Sequence, residues 1–359
     1  MLPMKEIWHL LDFDHNKIYL AGDIGGTNTN LALVGETDQG FDIIYQADFV
    51  SSELHNLADA IALVLDTTKE KLKGVKIIAG CISGAGPVKD NDCTLTNLDW
   101  NINGNALTEQ FNFPIRVIND FIAISYGVPI LDLNNTNEIV PLSQSVPGSR
   151  VPNGNVSLVI GAGTGLGVSF LINDGDRFMA FPSEGGHASF APFDTETVEL
   201  IDYMNRQNNY ASEIEQFVCG NGIGNIFNFY KDVKKVSFDS DLQRIADANH
   251  SDKAGLISQM ADKNPVCRDI MRTFIKIYGR VAADFSTTLL PFGGIYLAGG
   301  IVSKNLQFFL EGRLFMYYFE KNFRPNIEDI LRTIPIYVIK DYNVSLYGAA
   351  NAAKMGLIR

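Results

Sequence analysis

The sequence predicts an α/β protein built from two related α/β domains that face a cleft. Three observations point to this. Gly22-Asp23-Ile24-Gly25-Gly26-Thr27-Asn28 lies between the apolar stretches 18–21 and 31–34, a strand–glycine turn–strand pattern whose tip can take positive φ. Gly161-Ala162-Gly163-Thr164-Gly165-Leu166-Gly167 lies in the same way between 156–160 and 168–172. The two hairpins are about one domain length apart. A chain of 359 residues also exceeds what one hydrophobic core usually supports, so an internal duplication is the simplest reading.

The elements follow in order. Residues 1–16 carry a short apolar patch, Ile7-Trp8-His9-Leu10-Leu11, and read as a small amphipathic extension packed on the first domain. They lack a basic leader and a small-residue cleavage site, so they do not read as a signal peptide. Leu54, Leu57, Ile61 and Leu65 recur at helical spacing and predict a helix over 53–73. A strand over 75–82, a short helix over 105–111 and a buried strand over 114–118 come next. That strand ends at Asn119-Asp120, and a helix over 121–128 leads toward Pro129. Residues 134–154 are rich in Asn, Ser, Pro and Gly and are the best candidate for the crossing between domains. Helices are expected over 196–206 and 222–230. A long helix is expected within 252–290, with Phe274, Tyr278, Val281 and Phe285 on one stripe. Residues 293–298 form a strand into the Gly299-Gly300 turn, 334–339 another strand, and 344–355 an alanine-rich terminal helix.

Composition narrows the partners. Apolar residues make up 46% and charged residues 19%, an ordinary globular balance. The net charge of −12 argues against nucleic acid or an anionic membrane as a partner, because both need a basic face. No apolar run approaches the length of a membrane span. Cys81, Cys93, Cys219 and Cys267 are scattered without a C-x-x-C pair, which fits a reduced, cytoplasmic protein and leaves no compact Cys-rich zinc motif.

The glycine runs carry the first chemistry. Adjacent glycines let backbone N–H groups approach phosphate oxygens. Asp23 has the wrong charge for direct phosphate contact and makes sense if a Mg²⁺ ion lies between them, held through water. The same pattern also makes a plain Asp/Gly turn with no ligand. No Gly-Lys dipeptide occurs, which excludes a Walker A loop. The second run fails as a dinucleotide fingerprint, because Leu166, Val168 or Phe170 falls where its last glycine belongs. Asp120, at the end of a buried strand, can be a general base pointing into a cleft or an N-cap, and the two roles are compatible because a helix N-terminus holds a carboxylate ionised. Glu184 and His187 bracket two glycines, which makes an accessible loop of hydrogen-bonding groups rather than a packed helix face.

Six motifs taken together, GDIGGTN (22–28), TNLDW (96–100), VINDF (117–121), GAGTGLG (161–167), PSEGGH (182–187) and LAGGI (297–301), resemble the bacterial glucokinase family. That family lies within the superfamily of sugar kinases, actin and Hsp70-type ATPases. The resemblance runs from about Lys17 to the C-terminus. It implies an actin-like ATPase or hexokinase fold with ribonuclease H-like domains, here 17–130 plus 343–359 as the small domain and 131–342 as the large one. It implies ATP-dependent phosphorylation of the 6-hydroxyl of glucose, an entry step of glycolysis, in a homodimer. Carried onto this sequence, Asp120 is the catalytic base. Asn119, Asp120, Glu184, His187 and Glu215 bind the sugar. Gly22, Asp23, Ile24, Gly25, Gly26 and Thr27 face ATP from one side, and Thr164, Gly165, Gly299 and Gly300 from the other. Glu215 can equally be an ordinary helix glutamate, and Gly299-Gly300 a routine strand-to-helix turn. Three alternatives stay open: a kinase for another hexose such as mannose or an N-acetylated amino sugar, a sugar-sensing homologue without catalysis, and an ATPase that uses no sugar. Related sugar kinases also use polyphosphate or ADP as donor.

Overall fold

The structure is a computed structural model that describes residues 3–38, 40–72, 74–142, 152–175, 177–208 and 212–357. Its elements begin with β1 (Lys5–Trp8), β2 (Ile18–Ile24), β3 (Asn28–Thr37), β4 (Gly40–Val50), α1 (Leu57–Thr68), β5 (Ile77–Gly84), β6 (Val88–Lys89), β7 (Asp92–Cys93), β8 (Ile102–Asn103), α2 (Gly104–Phe111), β9 (Ile115–Asn119) and α3 (Asp120–Gly127). They continue with β10 (Ile139–Pro141), β11 (Val156–Ala162), β12 (Leu166–Asn173), β13 (Phe178–Ser183), α4 (Thr195–Asn208), α5 (Gly220–Asp232), α6 (Ser240–Asp247), α7 (His250–Met260) and α8 (Pro265–Leu289). The last are β14 (Ile295–Ala298), α9 (Gly300–Lys304), α10 (Leu306–Leu310), α11 (Leu314–Glu320), α12 (Pro325–Thr333), β15 (Ile336–Ile339) and α13 (Val344–Leu357). The chain forms two compact units. One runs to Asn135 and takes in Asn173–Pro182 and the chain from Asp341; the other comprises Thr136–Ile172 and Ser183–Lys340. Of the expected crossing over 134–154, residues 143–151 lie outside the described residues.

The first unit is built on a six-stranded sheet in the order β1-β4-β3-β2-β5-β9. Strand alternation divides its apolar residues between two faces. Ile18, Leu20, Leu31, Leu33 and Ile82 face Leu57, Ala60, Ile61 and Val64 of α1. Tyr19, Ala21, Ala32, Val34 and Cys81 face Leu346, Ala349, Ala350, Ala352 and Ala353 of α13, with Ile122 and Ala123 of α3. The terminal helix is alanine-rich because it packs on both the sheet and α3. The contact with α3 is so close that a Cβ at Gly348 would come to 1.8 Å from the Ala123 carbonyl oxygen.

The second sheet has the order β10-β15-β14-β11-β12-β13. Each sheet has a glycine-tipped antiparallel hairpin, β2–β3 or β11–β12, whose first strand continues into two parallel strands, β5 and β9 or β14 and β15. The duplication read from the two hairpins is thus a duplication of sheet topology. The core of this unit centres on α8, where Phe274, Tyr278 and Val281 are buried and Phe285 packs at its margin. The Tyr278 hydroxyl donates to the Ile160 carbonyl at 3.1 Å, which ties α8 to β11.

Several expectations are corrected. The hairpin tips need no left-handed backbone: the positive-φ glycines are Gly40, Gly74, Gly175, Gly294, Gly299 and Gly312. The helix expected over 53–73 starts only at Leu57, because the Asn56 side chain accepts from the Asp59 N–H at 2.9 Å and caps it. The long helix expected within 252–290 is present as α8, with α7 as a separate helix before it. Asn264 caps α8 by accepting from Val266 N–H, and Pro265 occupies the first turn, which sets where the helix starts. The N-terminal extension packs on the first unit as expected, and it does so partly as an edge strand. β1 pairs antiparallel with β4, and Trp8 packs edge-on to Tyr45 at 4.7 Å, with the Lys71 ammonium 3.8 Å over its ring.

The α3–α13 contact makes a stability prediction. Gly348→Ala is expected to destabilise the protein by about 2–3 kcal/mol, the usual cost of overpacking a tight contact. The check is a urea midpoint at constant m. An unchanged midpoint contradicts the close packing.

Candidate active site

In the first unit, strand register assembles the site. β5 lies between β2 and β9 and runs parallel to both, pairing Asp23 with Ser83 and Gly84 with Asn119. The C-terminal ends of the three strands therefore lie side by side, the usual place for a ligand on an open α/β sheet. The Ser83 hydroxyl donates to Asp23 Oδ1 at 3.2 Å. The Ser345 hydroxyl, at the start of α13, donates to Oδ2 at 2.7 Å. Burial pushes the Asp23 carboxyl above its usual range, and the two hydroxyls pull it back.

Asp120 begins α3 directly after β9, but it is not the cap. Asn119 is: its Oδ1 accepts from the Phe121 N–H at 2.9 Å, and its Nδ2 donates to the Gly86 carbonyl at 3.4 Å. The same Phe121 N–H also reaches Asp120 Oδ1 at 2.9 Å. Burial pushes Asp120 up to about 6; the Phe121 N–H opposes this and the neighbouring Asp23 charge adds to it. The helix N-terminus thus favours the ionised form as expected, but burial outweighs it in setting the direction of the shift. The outcome is a carboxylate poised near neutral pH, the condition for an effective general base.

The glycine tip is narrower than the motif. Gly22 and Ile24 are buried within the sheet, and Ile24 belongs to the core. The turn proper is Gly25-Gly26-Thr27. The Ser51 hydroxyl donates to the Gly25 carbonyl at 2.7 Å, and the Ser51 N–H donates to the Thr27 carbonyl at 2.9 Å. Gly26 and Thr27 are exposed, and the Asn97 side chain from the TNLDW segment lies against Gly26. Ser51, Ser83, Ser345 and Asn97 were not singled out from the sequence. The three serines carry no motif; strand pairing brings Ser51 and Ser83 here, and the packing of α13 on the sheet brings Ser345.

Asp23 passes a simple test as a Mg²⁺ residue. Among the described residues, no three His, Cys, Asp or Glu side chains converge as a cage. Mg²⁺ rarely uses one; it is held by one or two carboxylates together with water and phosphate. A carboxylate whose hydrogen-bond partners are two neutral hydroxyls, with a second carboxylate close by, suits a compensating cation.

The second unit gathers the other predicted residues. At its hairpin tip, the Gly163 N–H donates to the Gly165 carbonyl at 2.9 Å, and the Gly163 carbonyl accepts from the Gly220 N–H at the start of α5 at 2.8 Å. Glu215 Oε2 accepts from the Leu166 N–H at 2.7 Å, so this glutamate braces the hairpin and is no ordinary surface residue. β11 runs parallel to β14 with Gly161 beside Ala298, which sets Gly299-Gly300 next to the hairpin. Gly299 has φ 95°, and a Cβ there would meet the Ala162 carbonyl oxygen at 2.5 Å, so only glycine fits. Thr164, Gly165, Gly299 and Gly300 thus share one corner of this unit.

Glu184 lies on the exposed turn that follows β13, and Gly185–His187 close one 3₁₀ turn. Beyond it, the Ile214 N–H donates to the Ala188 carbonyl at 2.9 Å and the Phe190 N–H to the Ser212 carbonyl at 3.0 Å. This pairing sets His187 Nδ1 at 2.8 Å from Glu213 Oε2, while Nε2 lies 3.9 Å from Glu184 Oε2. The Glu213 hydrogen bond raises the His187 pKa, and the charges of Glu215 and Glu184 add to the rise. Glu213 was missed from the sequence, where its only signal is a second glutamate two positions before Glu215. The four cysteines are free and buried, and burial pushes the Cys81 thiol up to about 12 and those of Cys93, Cys219 and Cys267 up to about 11.

A raised carboxylate costs stability whenever it is charged. Above pH 6 Asp120 is ionised in both folded and unfolded chains, and the folded state bears the cost. Asp120→Asn is therefore expected to stabilise the protein at pH 8 by about 1–2 kcal/mol. The gain fades as pH falls through about 6 and is gone near the ordinary value of 3.8. Thermal melts of both proteins across this range are the measurement, and a variant less stable at pH 8 contradicts the assignment.

Comparison with known proteins gives the family of the chain. A family model described as Glucokinase matches residues 20–355. The glucokinase of Nostoc punctiforme is 33% identical over 351 residues, covering 94% of this chain and 98% of the relative. That of a Synechocystis strain is 32% identical over 355 residues, covering 93% and 97%. The crystal structure of a glucokinase from an Antarctic psychrotroph superposes with a TM-score of 0.80 at 26% identity, covering 94% of this chain and 99% of that one. With a family match across nearly its whole length and relatives above 30% identity that cover 93–94% of it, the chain belongs to the glucokinase family.

Proposed function

We infer that the protein is a glucokinase that transfers the γ-phosphate of ATP to the 6-hydroxyl of D-glucose, giving glucose 6-phosphate and ADP. The observation that carries this reading is Asp120. It opens α3 in the VINDF motif, and burial with the Asp23 charge nearby brings its pKa to about 6. Asp120 accepts the proton of the sugar 6-hydroxyl as that oxygen forms its bond to the γ-phosphorus. The bond from phosphorus to the bridging oxygen breaks, and ADP departs with the electron pair. Asn119, Glu184, His187 and Glu215 orient the sugar hydroxyls. Gly26 and Thr27 at one tip, and Thr164 and Gly165 with Gly299-Gly300 at the other, offer backbone N–H groups to nucleotide phosphates. Asp23 would hold Mg²⁺ through water; when bound, the ion neutralises phosphate charge. Phosphoryl transfer leaves the protein mainly orientation and charge stabilisation to supply, so much of the rate comes from these positioning contacts. Among the described residues no helix is long and apolar enough to cross a membrane, in keeping with a proposed cytoplasmic site of action. The family resemblance supports a homodimer, which light scattering would test.

Two measurements test the base. Asp120→Ala is expected to lower kcat by roughly 10²–10⁴, the range for losing a general base, while calorimetric glucose affinity stays within a few-fold. A near-normal kcat removes Asp120 from the mechanism. In the wild type, only ionised Asp120 accepts the proton, so kcat/KM is expected to fall as pH drops below about 6. A panel crossing glucose, mannose and N-acetylglucosamine with ATP, ADP and polyphosphate is expected to favour glucose with ATP.

A further inference from the structure

We propose that Glu213 is a positioning residue for sugar recognition, fixing the tautomer and direction of His187 so that Nε2 is held toward Glu184 for a sugar hydroxyl. The inference rests on the proposed glucokinase function. Its observations are geometric. Glu213 Oε2 lies 2.8 Å from His187 Nδ1, while the other ring nitrogen is 3.9 Å from Glu184 Oε2, too far for a direct hydrogen bond. A hydroxyl oxygen seated between those two atoms can bond to both. Without a partner on Nδ1, the ring can rotate and either nitrogen can carry the proton.

Glu213 is itself held. It begins the 3₁₀ turn Ile214–Gln216 in a capping box, with its side chain accepting from the Gln216 backbone and the Gln216 side chain accepting from the Glu213 N–H at 3.2 Å. The main-chain bridge between Ser189 and Glu213 fixes the spacing of the two segments that carry the pair. The acceptor is therefore preorganised, and His187 loses little freedom when sugar arrives. The charged groups facing His187 are Glu184 on its own turn and Glu213 and Glu215 on the neighbouring one, all acidic. Together they favour the imidazolium, whose Nε2–H makes a charge-assisted bond to a sugar oxygen. Sugar affinity then weakens as pH rises through the elevated His187 pKa.

Glu213→Gln tests this directly. The amide keeps the size and an acceptor for the turn, but it has no charge, and its N–H₂ group disfavours a proton on Nδ1. The expected result is a KM for glucose raised about 5–10-fold, the worth of one good hydrogen bond, with kcat changed less than about twofold. NMR titration of His187 is expected to show a lower pKa than in the wild type and a neutral tautomer moved toward Nε2–H. The KM–pH profile moves to lower pH with it. Glu213→Ala, which lacks both acceptor and charge, is expected to show the same signs. Unchanged KM together with an unchanged His187 pKa and tautomer overturns the proposal. So does an equal loss in kcat with no change in the NMR titration, which marks a structural role. A wild-type protein that does not phosphorylate glucose defeats the glucokinase reading instead, while the NMR titration still decides whether Glu213 sets the state of His187.

Discussion

Two like charges drawn together by strand register organise the first half of the site. β2 and β9 flank β5, and all three run the same way, so Asp23 and Asp120 come to neighbouring strand ends in a poorly hydrated spot. No cationic side chain is among the groups that shift either carboxylate. Hydroxyls of Ser83 and Ser345 stabilise the Asp23 charge, and the start of α3 partly stabilises that of Asp120. What remains uncompensated keeps Asp120 easy to protonate, which is the property a proton acceptor needs. The protein bears a stability penalty at this point because a comfortable carboxylate, held far below neutral pH, makes a weaker base.

The second unit reuses the same sheet plan with a different arrangement of charge. Its hairpin tip is tied from behind by Glu215 and by the start of α5, and no carboxylate stands where the first hairpin has Asp23. The acidic groups around His187 lie on two turns, Glu184 on one and Glu213 and Glu215 on the other. Under the proposed function each unit contributes to both ligands: each has a glycine tip for phosphate, and the sugar residues are Asn119 and Asp120 in the first unit and Glu184, His187 and Glu215 in the second.

The sequence made the topology of both halves legible because glycine tips between apolar stretches survive any packing detail. Asp120, Glu184 and His187 were legible because each lies in a contiguous motif. What stayed hidden depends on distance along the chain. Ser345 is 322 residues from Asp23, and nothing in the local sequence of either announces the other. Glu213 was hidden because a bridge to Ser189, not a motif, brings it to His187. The long helix α8 was legible from its apolar stripe, and the local signal Asn264-Pro265 sets where it starts. The edge strand β1 escaped because four residues are too few to show alternation.

The place of α13 has a consequence for biosynthesis. One face of the first sheet is sealed by a helix that leaves the ribosome only after the entire second unit has been made. Until then Tyr19, Ala32 and Val34 have no α13 to cover them, and Asp23 has no Ser345. The nascent amino-terminal half must wait, half-finished and adhesive, for its own closing piece. Any pause in translation between the two units lengthens that wait.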